Sequence, residues 1–170
     1  ILDRIFGRHI LSLSSLGQDP RPYVPRYFFS FSINENEITK TQNHTLIDTG
    51  ASQCTIDRFT MAKLSNKDPE ELRQYLEYLS NLQPPHHHPS VVSYSPPFED
   101  PKYLRGFSNL GTWALYIREV TLVIAEGYKY KIPLYTTINA RPILGMPFLE
   151  NVKLVMDRKK KRFIVLFRKT

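Results

Sequence analysis

A carboxylate stands where the chain otherwise reads as buried. Residues 46–56 are LIDTGASQCTI, with Asp48 between the apolar pair Leu46-Ile47 and the small, flexible Thr49-Gly50-Ala51. Ionising a carboxylate among apolar groups is costly, so this Asp is either a turn residue facing water or a working acid. A carboxylate set against a second acid can do general acid–base chemistry: one takes a proton from water while its protonated partner donates to a carbonyl oxygen. The other aspartates (Asp3, Asp19, Asp57, Asp68, Asp100 and Asp157) lack the apolar residues before and Thr-Gly after. The plain alternative is an Asx turn at a strand end.

Other reactive side chains carry less. His86, His87 and His88 are adjacent, and neighbours in one loop rarely converge on an ion; His9 and His44 are far away in sequence, so no metal is expected. Cys54 is the only cysteine, which excludes an internal disulfide and suits a reducing compartment. Without a positioned His it reads as a small core residue. No cofactor is expected. The net charge of +7 would allow contact with nucleic acid, but much of it crowds Arg158 to Arg162, Arg168 and Lys169. A solvated hairpin tip and chain end are the preferred reading there.

The elements that would position Asp48 read as mostly β. Tyr27, Phe29, Phe31 and Ile33 alternate through YFFSFSI, a half-buried strand. NENE turns the chain, and EITKTQNHTLID returns as a second strand ending at Asp48. Asp57 can cap a short helix, DRFTMAKL. Asp68, Pro69 and Glu71 form a capping box ahead of an amphipathic helix over 69–82, with Leu72, Tyr75, Leu76 and Leu79 at helical spacing. The proline- and histidine-rich QPPHHHPSVVSYSPPFEDPKY then predicts a long surface excursion. YLRGFSNLGTWAL predicts a hairpin with a glycine-rich tip. IREVTLVIA and YKIPLYTTI make two further strands, RPILGMPFLENV a Pro-started short helix after Gly145, and KLVMD with FIVLF a closing hairpin.

Roughly ninety residues after Asp48, Pro142-Ile143-Leu144-Gly145 supplies a second apolar pair before a glycine. Together with Leu46-Ile47-Asp48-Thr49-Gly50-Ala51 it resembles the retropepsin-type aspartic proteases, more closely those of gypsy-type LTR retrotransposons and related elements. The resemblance covers about residues 27–65 and 103–168 and rests on these two motifs. It implies a retropepsin-like acid protease fold with a closed, barrel-like half, and a homodimer with Asp48 catalytic in each protomer. Two carboxylates about 3 Å apart would share one proton, since both cannot ionise together. By the same resemblance the Thr49 hydroxyl bonds across the axis, Gly50 turns the backbone, Ala51 leaves room for substrate, and Ile143, Leu144 and Gly145 pack beside the loop. An extended polypeptide, its own polyprotein by expectation, would lie under a covering hairpin, for which Tyr103 to Trp113, with Gly106, Phe107 and Gly111, is the candidate. The closely spaced glycines and isoleucine usual in such a cover are absent, and Met146-Pro147 replaces a polar pair usual after Ile-Leu-Gly.

The length of 170 residues suits one domain: residues 1–26 as an N-terminal linker or extension with a short helix over 2–11, and 27–170 as the protease domain, interrupted by an insertion at about 66–102. The first residue is Ile, which suggests a piece of a longer chain. No apolar run is long enough to span a bilayer and no signal peptide opens the sequence. The expected setting is cytoplasmic, with virus-like particles as a variant, and without membrane or nucleic-acid partners. FIVLF at 163–167, or residues 27–33, is expected at the dimer contact. The rival expectations are a catalytically silent, domesticated dimerisation module of the same fold and a basic nucleic-acid-binding β domain.

Overall fold

The computed structural model describes residues 6–13, 26–27, 30–32, 39–40, 45–82, 92–105, 111–125, 128–159 and 162–168. Its long element is a ribbon of two strands, β7 (Gly111–Ala125) and β8 (Tyr128–Thr136), paired antiparallel. On β7 the inward set changes parity along the strand: Leu115 and Ile117 are buried, then Val120 and Leu122. Between the pairs Ile117↔Leu134 and Val120↔Ile132, β7 advances three residues while β8 advances two. This is a bulge. The extra residue leaves Arg118 and Glu119 exposed and lets the strand bend while keeping apolar groups inside.

The other strands assemble around this ribbon. Short strands β2 (Arg26–Tyr27), β3 (Ser30–Ser32), β4 (Thr39–Lys40) and β5 (Thr45–Ile47) realise the expected first hairpin in two pieces. Arg26 pairs with Leu46, and Ser30 with Lys40. A hairpin of β6 (Lys102–Arg105) on the start of β7 follows, and β9 (Ile143–Leu144) runs parallel to β5. Among the described residues the strands form three open sheets, ordered β2-β5-β9, β4-β3-β7-β6 with β8 also on β7, and a terminal sheet. The architecture is mostly β with few short helices, and the closure of a barrel-like half is not seen among the described strands.

The terminal sheet joins both ends of the chain. The closing hairpin is β10 (Val152–Asp157) with β11 (Arg162–Arg168), and β11 pairs on its other side with β1 (Phe6–Leu13). The helix expected over residues 2–11 is therefore corrected: Phe6–Leu13 is a strand. The sequence FGRHILSL has neither a helical apolar stripe nor a cap, and pairing with a distant strand decides its state. This part of the expected linker is bound to the domain. Val152 and Leu154 pack against the core, while Val155 faces out.

The helices follow their sequence signals. In α1 (Arg58–Ser65) Asp57 caps the Thr60 amide at 2.9 Å, and Asn66 ends the helix in the left-handed conformation at φ 55°. In α2 (Pro69–Ser80) Asp68 accepts from the Glu71 amide at 3.1 Å, and Leu72, Leu76 and Leu79 are buried. The third helix, α3 (Met146–Leu149), buries Phe148. The proline-rich excursion is anchored where it is described. Phe98 joins the core cluster, Tyr94 packs on Tyr75 with ring centroids 4.7 Å apart, and the Glu99 amide donates to Tyr116 O at 3.0 Å. His86 to His88 lie outside the described residues, and no cluster of metal-binding side chains occurs among the described ones. No described helix is long and apolar enough to cross a membrane.

Candidate active site

Asp48 follows directly on β5, whose buried Thr45 and Ile47 fix the strand's inner face. Parallel pairing with β9 carries the strand to its end: the Leu46 amide donates to Pro142 O and the Asp48 amide to Leu144 O, both at 3.0 Å. Beyond Asp48 the chain turns. The Ala51 amide donates to Asp48 O at 3.2 Å, and the Gly50 amide donates to the carboxylate oxygen Asp48 Oδ1 at 2.8 Å. That charge-assisted bond orients the acid. Asp48 is half-buried, while Thr49 and Gly50 are exposed beside it.

The far side of the loop is pinned as firmly. Thr55 and Ile143 exchange backbone hydrogen bonds at 2.9 Å each, the Tyr135 amide donates to Cys54 O, and the Ile56 amide to Tyr135 O. Cys54 is 0% exposed, as its reading as a core residue requires. Burial pushes its thiol up, against hydrogen bonds from the backbone at Gly145 and Phe148. Burial in this way disfavours the thiolate, the reactive form of the side chain. Gly145 is needed for close approach: a Cβ there would lie 2.4 Å from Ala51 O and 2.5 Å from Gln53 O. The Met146 amide completes the contact by donating to Ala51 O at 2.9 Å. Met146 itself is 42% exposed at this end of the molecule.

A cavity of about 470 Å³ opens over this loop. Asp48, Gly50, Ala51 and Ile143 line it from below, with Ser52, Gln53 and Thr55. β6 also lines it, through Tyr103, Leu104 and Arg105. The described part of the hairpin expected to cover the acid, joined by Tyr103↔Trp113 and Arg105↔Gly111 pairing, thus contributes to the same cavity. Tyr103 packs edge-on against Trp113, with centroids 5.6 Å apart.

The sequence-derived set is largely brought together. Leu144 and Gly145 stand behind the loop, and Gly111 closes the described part of the hairpin. At Gly111 a Cβ would lie 2.3 Å from the Tyr103 ring and 2.7 Å from Leu104 O, so the glycine permits close packing of the two strands. Gly106 and Phe107 lie outside the described residues. The remaining acids have structural work where their contacts are seen, Asp57 and Asp68 as caps and Asp100 as acceptor for the Ser93 hydroxyl. Sequence reasoning did not single out Ser52, Gln53 or Thr55, while Leu104 and Arg105 fall inside the expected cover segment, Tyr103 to Trp113. No protein-family model and no curated protein matches the chain.

Proposed function

We propose that this protein is a homodimeric aspartic endopeptidase of retropepsin type, acting on an extended polypeptide such as a retroelement polyprotein. The observation that carries the reading is Asp48. It is an oriented carboxylate at a strand end, half-buried in a peptide-sized cavity, with the exposed Thr49 and Gly50 beside it. One protomer supplies one such acid. Apposition of the exposed Thr49-Gly50 edges about a two-fold axis would set the mates close enough to share a proton. One carboxylate then accepts a proton from water as it attacks the scissile carbonyl, and the protonated mate donates to the carbonyl oxygen. The substrate would lie as a strand between the loop and β6.

The test is incubation of the purified chain and of Asp48→Asn at mildly acidic pH, with and without pepstatin, following its own termini and added peptides by mass spectrometry. Pepstatin-sensitive cleavage lost in Asp48→Asn is the expected result. Cleavage indifferent to both the inhibitor and the substitution would remove the assignment.

A further inference from the structure

The cavity holds one charged group besides Asp48. Arg105 ends β6, is exposed, and lines the same cavity as the Asp48 loop. Among the described residues its guanidinium makes no ion pair, and Asp48 is not a partner; the cavity thus contains an acid and a cation that do not pair with each other. The other cation of β6 is engaged elsewhere, Lys102 lying over the Tyr116 ring at 4.9 Å from its centroid. The rest of the lining is uncharged, with the small or apolar Gly50, Ala51, Leu104 and Ile143 beside polar side chains such as Ser52, Gln53 and Thr55.

A guanidinium is always charged and presents several donors in a plane matched to a carboxylate. A peptide lying as a strand projects alternate side chains to one side. With its scissile amide over Asp48, a side chain reaching β6 would meet Arg105. An acidic residue would make a charge-assisted bond there, an amide a weaker one, and a lysine would be repelled. We infer that the cavity selects polypeptides with an acidic side chain near the cleaved bond, Arg105 being the group that recognises it. This rests on the protease reading for its substrate, while its test does not rest on catalysis.

The experiment measures binding of extended peptides, carrying Glu, Gln or Lys at each position in turn, to Asp48→Asn and to Asp48→Asn with Arg105→Gln or Arg105→Glu. Cleavage of the same peptides by the unsubstituted chain is followed in parallel. For one position, Glu binds about fivefold tighter than Gln, in keeping with a partly exposed ion pair. The preference fades with added salt, disappears in the Arg105→Gln background and turns towards Lys with Arg105→Glu. A purely structural Arg105 would weaken all three peptides alike, which would overturn the inference. Equal binding of Glu, Gln and Lys at every position would overturn it as well, and cleavage dependent on Asp48 would then leave the protease reading standing. Acid-selective binding without cleavage by the unsubstituted chain would uphold the recognition site and sink the protease reading.

Discussion

Gly145 lies against Ala51 so closely that a methyl group on it would enter the Ala51 carbonyl oxygen, at 2.4 Å. Two segments far apart in sequence are held backbone to backbone at this point, directly under the loop that bears Asp48. Since both opposing atoms belong to the main chain, no side chain can swing away to make room. Gly145→Ala should cost about 2 kcal/mol of stability, in the range for overpacking a filled site. Urea denaturation checks it, and an unchanged midpoint would show that the loop yields freely.

Asp48→Asn keeps an oxygen able to accept from the Gly50 amide, so the loop should hold its shape. What is lost is the proton-accepting carboxylate. Peptide cleavage should fall at least about a thousandfold, within the span attributed to general acid–base groups, while the melting temperature and sedimentation of the chain stay as they were. Loss of folding in this variant would instead mark the acid as structural.

The helix α2 belongs to the core although it sits in the stretch expected to be an insertion. Leu76 is 1% exposed and packed in the central cluster. Leu76→Ala should destabilise the whole domain by about 3 kcal/mol, whereas Glu77→Ala on the exposed face should change little. Chemical denaturation of the two variants separates an integral helix from an appended one.

High pH should loosen the contact between α2 and the anchored proline-rich segment. Burial first, then the neighbouring Tyr78, Asp100 and Tyr94, raise Tyr75 from an ordinary 10.0 to about 12. The folded state thus keeps its phenol proton where the unfolded chain has lost it. This contribution is complete below about pH 10 and declines as pH climbs towards 12. Tyr75→Phe should flatten that alkaline decline, at the cost of the hydroxyl's bond to Val92 O. Denaturation midpoints between pH 8 and pH 11.5, taken for both chains, decide the matter; parallel curves would count against it.

Much of this was readable before any coordinates. Strands with clear alternation or long apolar character, and helices announced by Asp57 and Asp68, depend on near neighbours, so local sequence declares them. That Ile143-Leu144-Gly145 packs beside the Asp48 loop was expected only through the resemblance carried by the two motifs, not from any local pattern. Elsewhere the deciding partner is remote. Phe6–Leu13 becomes a strand because Phe163 to Arg168 offers it an edge. Phe98 looked like part of a surface excursion because its burial depends on α2 and β7. Arg105 lay within the segment expected to cover the site, but nothing local marked it as the cation of that cavity, since this depends on how a hairpin folds over a loop more than fifty residues earlier.

The pairing of Phe6–Leu13 with Arg162–Arg168 fastens the beginning of the chain to its end like the two halves of a clasp. A cut anywhere in residues 14–25 would sever the leading strand covalently, yet its backbone ladder would still hold it in place. A severed protein would therefore migrate as two pieces in denaturant and as one particle in native buffer. Only its later departure would uncover the flank of the strand beneath, making release, rather than scission, the moment at which that flank becomes free for another chain.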